Sequence, residues 1–388
     1  MKAIANTNYM QKQHFPMLFL MAFLVCTTCI GQVRADEVSK LLVMDQSTIS
    51  LTIGTYTGAT SEGVYQADFN TTTGALSNLR VIAKVEQPSF LTRSVDREKL
   101  YVVSEIDQGK LSVLSLQEDG TYSLEQEITT EGSTTCHVTL NADESLVSVA
   151  NYREGSLIVY GEDEGKLSKV AYFKHEGSSV HRRQQVPHPH SSYFSKGEDY
   201  IYVPDLGTDE IISYSIVSGK PTAGKVALKM DPGDGPRHMA AHPARDLWFV
   251  VGELSSVVSS LRPNTSGTFD VVDKQNLLPD GIEGRSTAAD VHVSPDGKYL
   301  YTSNRGHQDG YHCISVFSIL DDGRLKPLGH VTEGINQPRN FSLSPDGRFL
   351  LVANQYGDDI IVFKVKPNGM LESTGHSIAI SMPACLKF

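Results

Sequence analysis

The 388-residue chain is 40% hydrophobic and 20% charged, with a formal net charge of −11. That is apolar enough for a large core and too acidic to suggest nucleic acid or an anionic membrane surface as a partner. Beyond the N-terminal region only Cys136, Cys313 and Cys385 remain, an odd and widely spaced set that excludes a disulfide framework.

The first forty residues differ from the rest. Lys2 and Lys12 precede an apolar run over residues 17–30, and GQVRA follows, with Val33 and Ala35 as the small pair before a cut. A basic start, a short apolar run and a small-residue cut predict a secretory signal peptide over residues 1–35, cleaved after Ala35. The run is short for a bilayer span, and Val25 and Thr28 before Cys26 and Cys29 do not suit a lipid-modified cysteine. A single exported domain over residues 36–388 is expected, periplasmic or extracellular, with no membrane attachment after cleavage. A misread signal would leave it cytoplasmic. Nothing marks an oligomer interface, so a monomer is expected.

From Ser47, STISLTIGTYTG predicts a strand, and GVYQADF a second. Then a pattern of strand, small polar turn and strand recurs six times. The turns start at Ser94, Asn141, Ser195, His242, Ser294 and Ser344, every 47 to 54 residues. Each turn, SPDG for example, has hairpin chemistry, and each following run is β-branched or aromatic. Two further strands complete each period, such as IISYSIV or CISVFSIL and then KPLGHVTE. Four strands per fifty residues with no helical periodicity predict an all-β, seven-bladed β-propeller of four antiparallel strands per blade. The strands after Ser47 lack an inner partner. The C-terminal SMPACLKF is expected to supply it, so that strands from both ends share one blade and close the ring.

Aligning the turns gives two columns. Five residues before each turn stand Ser89, Cys136, His190, Arg237, Ala289 and Arg339, four of them preceded by proline; eleven after it stand Glu105, Tyr152, Leu206, Glu253, Arg305 and Gln355. A hairpin returns to the end from which it left, so both columns are expected on one face near the axis. That face would gather His190, Arg237, Glu253, Arg305, Arg339, Glu105 and Gln355. Three arginines in one rim suit an anionic or polyoxygenated ligand, because the planar guanidinium can hold a carboxylate or phosphate with two hydrogen bonds. Ion pairs with a purely structural role are the competing reading.

In VPHPHSSYF, His188 and His190 would point to one side of a strand. They could supply two legs of a metal site, but only Glu253 offers itself as a third, so no metal or other cofactor is expected. His190 suits acid–base work, and His188 would pack against it or orient it. No G-x-S-x-G or G-x-G-x-x-G supports a serine nucleophile or nucleotide binding.

VPHPHSSYFSKGEDYIYVPDLGTDEI, GPRHMAAHPARDLWFVVGELSS, AADVHVSPDGKYLYTSNRG, QPRNFSLSPDGRFLLVANQ and the final PACLKF closely resemble the lactonase family of seven-bladed propellers. That family includes propeller-type 6-phosphogluconolactonases and fungal 3-carboxy-cis,cis-muconate cyclases. The resemblance runs from about Ile53 to Phe388. It implies that His190 (or His188), Arg237, Glu253 and Arg305 are catalytic, with His188, Arg339, Glu105 and Gln355 left as substrate contacts. The implied activity is hydrolysis of a sugar-acid lactone, with Glu253 or His190 activating water and the other protonating the leaving oxygen. The same residues suit a lactone-closing cycloisomerase, and an exported propeller that binds without catalysis is a third possibility. An export signal departs from a cytoplasmic phosphogluconolactonase and points to a lactone met elsewhere.

Overall fold

The computed structural model describes residues 47–388 apart from positions 59, 283, 284 and 309; the expected signal peptide lies outside the described residues. Twenty-eight strands form seven four-stranded antiparallel sheets, and no helix occurs among the described residues. Seven blades, four strands each, are therefore present as the repeat predicts.

From the axis outward, the first blade runs from Pro383–Lys387 through Thr48–Thr55 and Val64–Asn70 to Leu76–Ala83. The last strand of the chain is thus the inner strand of the first blade, pairing Ile53 with Leu386 and Thr52 with Lys387. The other inner strands are Phe90–Arg93, Thr135–Leu140, Tyr193–Phe194, Pro236–Ala241, Arg285–Val293 and Pro338–Leu343. Proline heads three of the seven, a position whose missing N–H costs the ladder nothing.

The β-branched and aromatic runs after each turn form the second strand of each blade, buried on both sides. Leu100 to Val103, Ile201 to Val203 and Leu350 to Val352 are 0–3% exposed. Their side chains pack against the next blade. Phe249 and Val251 meet Leu300 and Phe317, and Leu51 and Phe69 meet Phe349 and Leu351, so apolar clusters bridge every neighbouring pair. Outer strands carry half-buried and exposed residues, largely in alternation, as a sheet edge facing water requires.

The SPDG turns are held by their own side chains. Ser294 Oγ donates to Asp296 Oδ1 at 2.6 Å, and the Tyr299 N–H donates to Ser294 Oγ at 2.9 Å. Gly297 has φ +73°, and a Cβ there would meet His242 Cε1 at 2.5 Å, so this turn needs glycine. The turn face is therefore explained by geometry, and the opposite face carries the unexplained charge.

Candidate active site

The two columns meet as expected, through one repeated backbone contact. The residue eleven after the turn donates its N–H to a carbonyl two residues before the inner-strand position. Glu105 bonds Gln87, Tyr152 bonds Thr134, Leu206 bonds His188, Glu253 bonds Gly235 and Gln355 bonds Gln337, at 2.7–3.0 Å. In the sixth blade Thr287 pairs with Arg305 within the ladder. In the first, Tyr56 bonds the carbonyl of Met382 at 3.0 Å. Tyr56 is thus the seventh member of the column, missed because its blade is split between the two ends of the chain.

Inner-strand positions of the column lie at irregularities in the ladder. The register slips around Cys136, around Arg237 and His238, around Ala289 and Asp290, around Arg339 and around Ala384. A β-bulge leaves one residue unpaired and re-aims its side chain. In the fourth blade the expected strand through His188 and His190 is not regular. Pro189 makes an isolated bridge to Asp205, and ladder pairing begins at Tyr193. Pro187 and Pro189 lack donors, and Asp205 Oδ1 instead accepts the His188 N–H at 2.7 Å. Gly207 lets this loop pack closely, since a Cβ there would stand 2.0 Å from the Val186 carbonyl oxygen and 2.7 Å from the His188 nitrogen.

Glu253, 3% exposed, is the hub of the mouth. Its Oε1 accepts a hydrogen bond from Arg183 Nη1 at 2.6 Å and lies 3.3 Å from Arg305 Nη2. Its Oε2 lies 3.0 Å from Arg237 Nε, but that N–H is not aimed at the oxygen and makes no hydrogen bond. Arg237 and Arg305 are anchored instead through their terminal nitrogens, on the carbonyls of Ala289 and Ala288. Both Nε groups are buried donors without an acceptor. Arg183 was not expected. It comes from the loop before VPHPH, which has no counterpart in the other repeats and shows in the sequence only as the longest spacing between turns.

A second pair lies beside the first. Arg339 Nη2 is 3.6 Å from Glu105 Oε2, which accepts the Tyr56 hydroxyl at 2.5 Å, and the Arg339 guanidinium sits 5.1 Å from the Tyr56 ring centre. Burial, then Glu105, raises the Tyr56 phenol well above its usual range against the pull of Arg339, so it stays a donor. Gln355 is brought to the mouth by its backbone bond, but its side chain pairs with none of these charges.

The histidines cluster around Tyr152, another column member. His188 stacks on its ring at 4.3 Å and His190 meets it edge-on at 5.3 Å. His188 Nδ1 also lies 2.9 Å from the Tyr152 carbonyl oxygen. The Tyr152 hydroxyl accepts Arg183 Nη2 at 2.9 Å, which ties the imidazoles to the arginine cluster. Burial first, then Arg237 and His238, hold His190 well below the usual histidine range, so it is neutral and able to accept a proton. Cys136 Sγ is 3.9 Å from His190 Nδ1, but burial raises the thiol and leaves it no nucleophile at neutral pH. Cys136, Cys313 and Cys385 are all free.

Burial pushes the Glu253 carboxyl up, but the charges of Arg305, Arg183 and Arg237 outweigh it and hold the group well below the usual carboxylate range. A carboxylate so stabilised is a poor base and a strong counter-ion. Its stabilising effect is complete above the unfolded value of about 4.3 and is lost as pH falls below it. Glu253→Gln should therefore cost about 3 kcal/mol at neutral pH by leaving three guanidiniums uncompensated. It should also flatten the stability profile between neutral and acid pH. Urea midpoints across that range check both.

The family described as "Lactonase, 7-bladed beta-propeller" matches residues 50–388. The chain is similar to the 6-phosphogluconolactonase of Bacillus subtilis (strain 168), 31% identical over 343 residues, which cover 87% of this chain and 97% of that one. It is similar also to a 6-phosphogluconolactonase of Formosa agariphila, 33% identical over 314 residues, 78% of this chain and 88% of that one. Among solved structures, the periplasmic gluconolactonase of Pseudomonas aeruginosa superposes with a TM-score of 0.82 at 29% identity, covering 88% of this chain and 99% of that one.

Proposed function

Because the chain belongs to the lactonase family of seven-bladed β-propellers, we propose that it hydrolyses a sugar-acid lactone to the open-chain acid at the arginine-lined mouth. One observation carries the location. Among the described residues the ion pairs of Arg183, Arg237, Arg305 and Arg339 run only to Glu105 and Glu253, four guanidiniums to two carboxylates, in a largely buried site with two guanidinium donors unspent. An anionic or oxygen-rich substrate supplies what is missing.

Water attacks the lactone carbonyl carbon while His190 takes its proton. Arg237 and Arg305 hold the oxyanion of the tetrahedral intermediate, each such donor lowering the barrier by about 3 kcal/mol. Collapse breaks the bond to the ring oxygen, and the His190 imidazolium returns the proton to that oxygen. Glu253 is engaged by the arginines it holds, which leaves the unprotonated His190 as the base. Arg339 and Glu105 line the neighbouring part of the mouth as substrate contacts, and His188 braces Tyr152.

We further propose that residues 1–35 direct export and that the active domain is residues 36–388, so the natural lactone is one met outside the cytoplasm. Assays of 6-phosphogluconolactone beside unphosphorylated gluconolactone test this, with and without chelator. Chelator-resistant opening that favours the unphosphorylated lactone is expected, and preference for the phosphorylated one would count against export. The acid limb of kcat/KM should lie below the ordinary histidine midpoint, because His190 stays neutral to lower pH. His190→Ala should lower kcat by roughly 100- to 10,000-fold and remove that limb. Turnover of neither lactone, with ring closure of an open-chain di- or tricarboxylate instead, would favour a cycloisomerase.

A further inference from the structure

On the turn side of the disc lies a cavity of about 350 Å³, walled by residues that immediately precede the repeated turns: Leu140, Phe194 and Ala241. It shares none of its lining with the hydrolytic residues proposed above. Its buried anion is already satisfied. Asp290 Oδ1 lies 2.8 Å from His238 Nδ1 and accepts the Val291 N–H at 3.0 Å, and Oδ2 lies 3.0 Å from His292 Nε2 and accepts from Asn340.

What remains open in this cavity are donors. His137 is 3% exposed and stacks on Phe90 at 4.3 Å. Its Nδ1 accepts the Ser192 N–H at 3.3 Å, which puts the ring proton on Nε2, and no acceptor meets that N–H among the described residues. Burial keeps the imidazole neutral, well below its usual range. Lys387 Nζ stands 4.9 Å from the Phe90 ring centre and has no carboxylate partner among the described residues. Tyr193 and Trp248 complete an aromatic wall.

We propose that this cavity is a second small-molecule site that takes a small carboxylate, drawn by Lys387, with the His137 Nε2–H as second donor and the aromatic wall covering its carbon face. A cavity of about 300–1,000 Å³ with apolar walls and a few convergent polar groups is the usual form of such a site. Both an open-chain sugar acid and an aromatic acid carry this chemistry.

Trp248 is the sole tryptophan of the chain and lies in the wall, so its fluorescence reports occupancy directly and independently of any lactonase activity. The intact protein is titrated with sodium gluconate and with sodium benzoate, against sodium chloride at equal ionic strength. A saturable change with either acid and not with chloride is expected; gluconate alone marks a hydroxy acid as the ligand and benzoate alone an aromatic one. Lys387→Gln, at the partly exposed rim, should weaken that binding tenfold or more, as should His137→Gln. No saturable response to either acid overturns the proposal, and so does a response that survives both substitutions, since binding in the arginine mouth would survive them.

Discussion

Arg237→Ala should lower kcat/KM for lactone opening by about 100- to 1,000-fold, the cost of removing one preorganised oxyanion donor from a water-poor site. Arg237 is 2% exposed and sits on the inner-strand bulge beside Glu253. Its guanidinium is fixed at one end on the Ala289 carbonyl and at the other near the Glu253 carboxylate, so little reorganisation accompanies charge development on the substrate. Arg237→Lys should restore little, because an ammonium cannot reach the carbonyl, the carboxylate and the substrate at once. Steady-state kinetics beside urea unfolding separates this from a folding defect. A stable Arg237→Ala protein with undiminished kcat/KM would remove Arg237 from the mechanism.

Deleting residues 383–388 is expected to prevent formation of the closed ring. The segment supplies the inner strand of the first blade and buries Ala384, Cys385 and Leu386 to 3% exposure or less. It also donates the Leu386 N–H to Asn340 at 2.7 Å and packs Phe388 against Phe69 at 5.1 Å. One buried Leu contributes about 2 kcal/mol and each lost ladder bond about 1 kcal/mol. The loss therefore approaches the roughly 5–15 kcal/mol that holds a typical domain folded. The strand Thr48–Thr55 would also be left as an unpaired edge next to Phe90–Arg93, open to association with other copies. Circular dichroism and size-exclusion chromatography should show a weakly folded, self-associating product. A synthetic SMPACLKF peptide added in trans should recover the cooperative melt. A truncated chain that melts like the intact one would show that closure contributes little.

The architecture was legible because its signals are local and repeated. Turn chemistry and alternating strands recur at Ser94, Asn141, Ser195, His242, Ser294 and Ser344, and two fixed offsets from those turns suffice to bring Glu253 beside Arg237 and Arg305. Tyr56 escaped because the first blade has no turn between its inner and second strands; the two strands come from opposite ends of the chain. Arg183 escaped because a loop without a repeat offers no column to align. The bulges were invisible for another reason. One extra residue in a strand leaves the spacing between turns within its ordinary scatter, so only the register shows that Arg237 and Arg339 stand out of the ladder. The reading of VPHPH as a strand failed on its own prolines, whose missing donors hand the local hydrogen bonding to Asp205.

Since the bulged residues are skipped by the neighbouring strand, their side chains can be exchanged without disturbing the hydrogen-bonded frame that carries them. Five such sockets hold Cys136, Arg237, Ala289, Arg339 and Ala384. Charge, size and donor pattern around the axis can therefore be rewritten one blade at a time. On this ring a change of substrate is a change of contents, with the container left as it is.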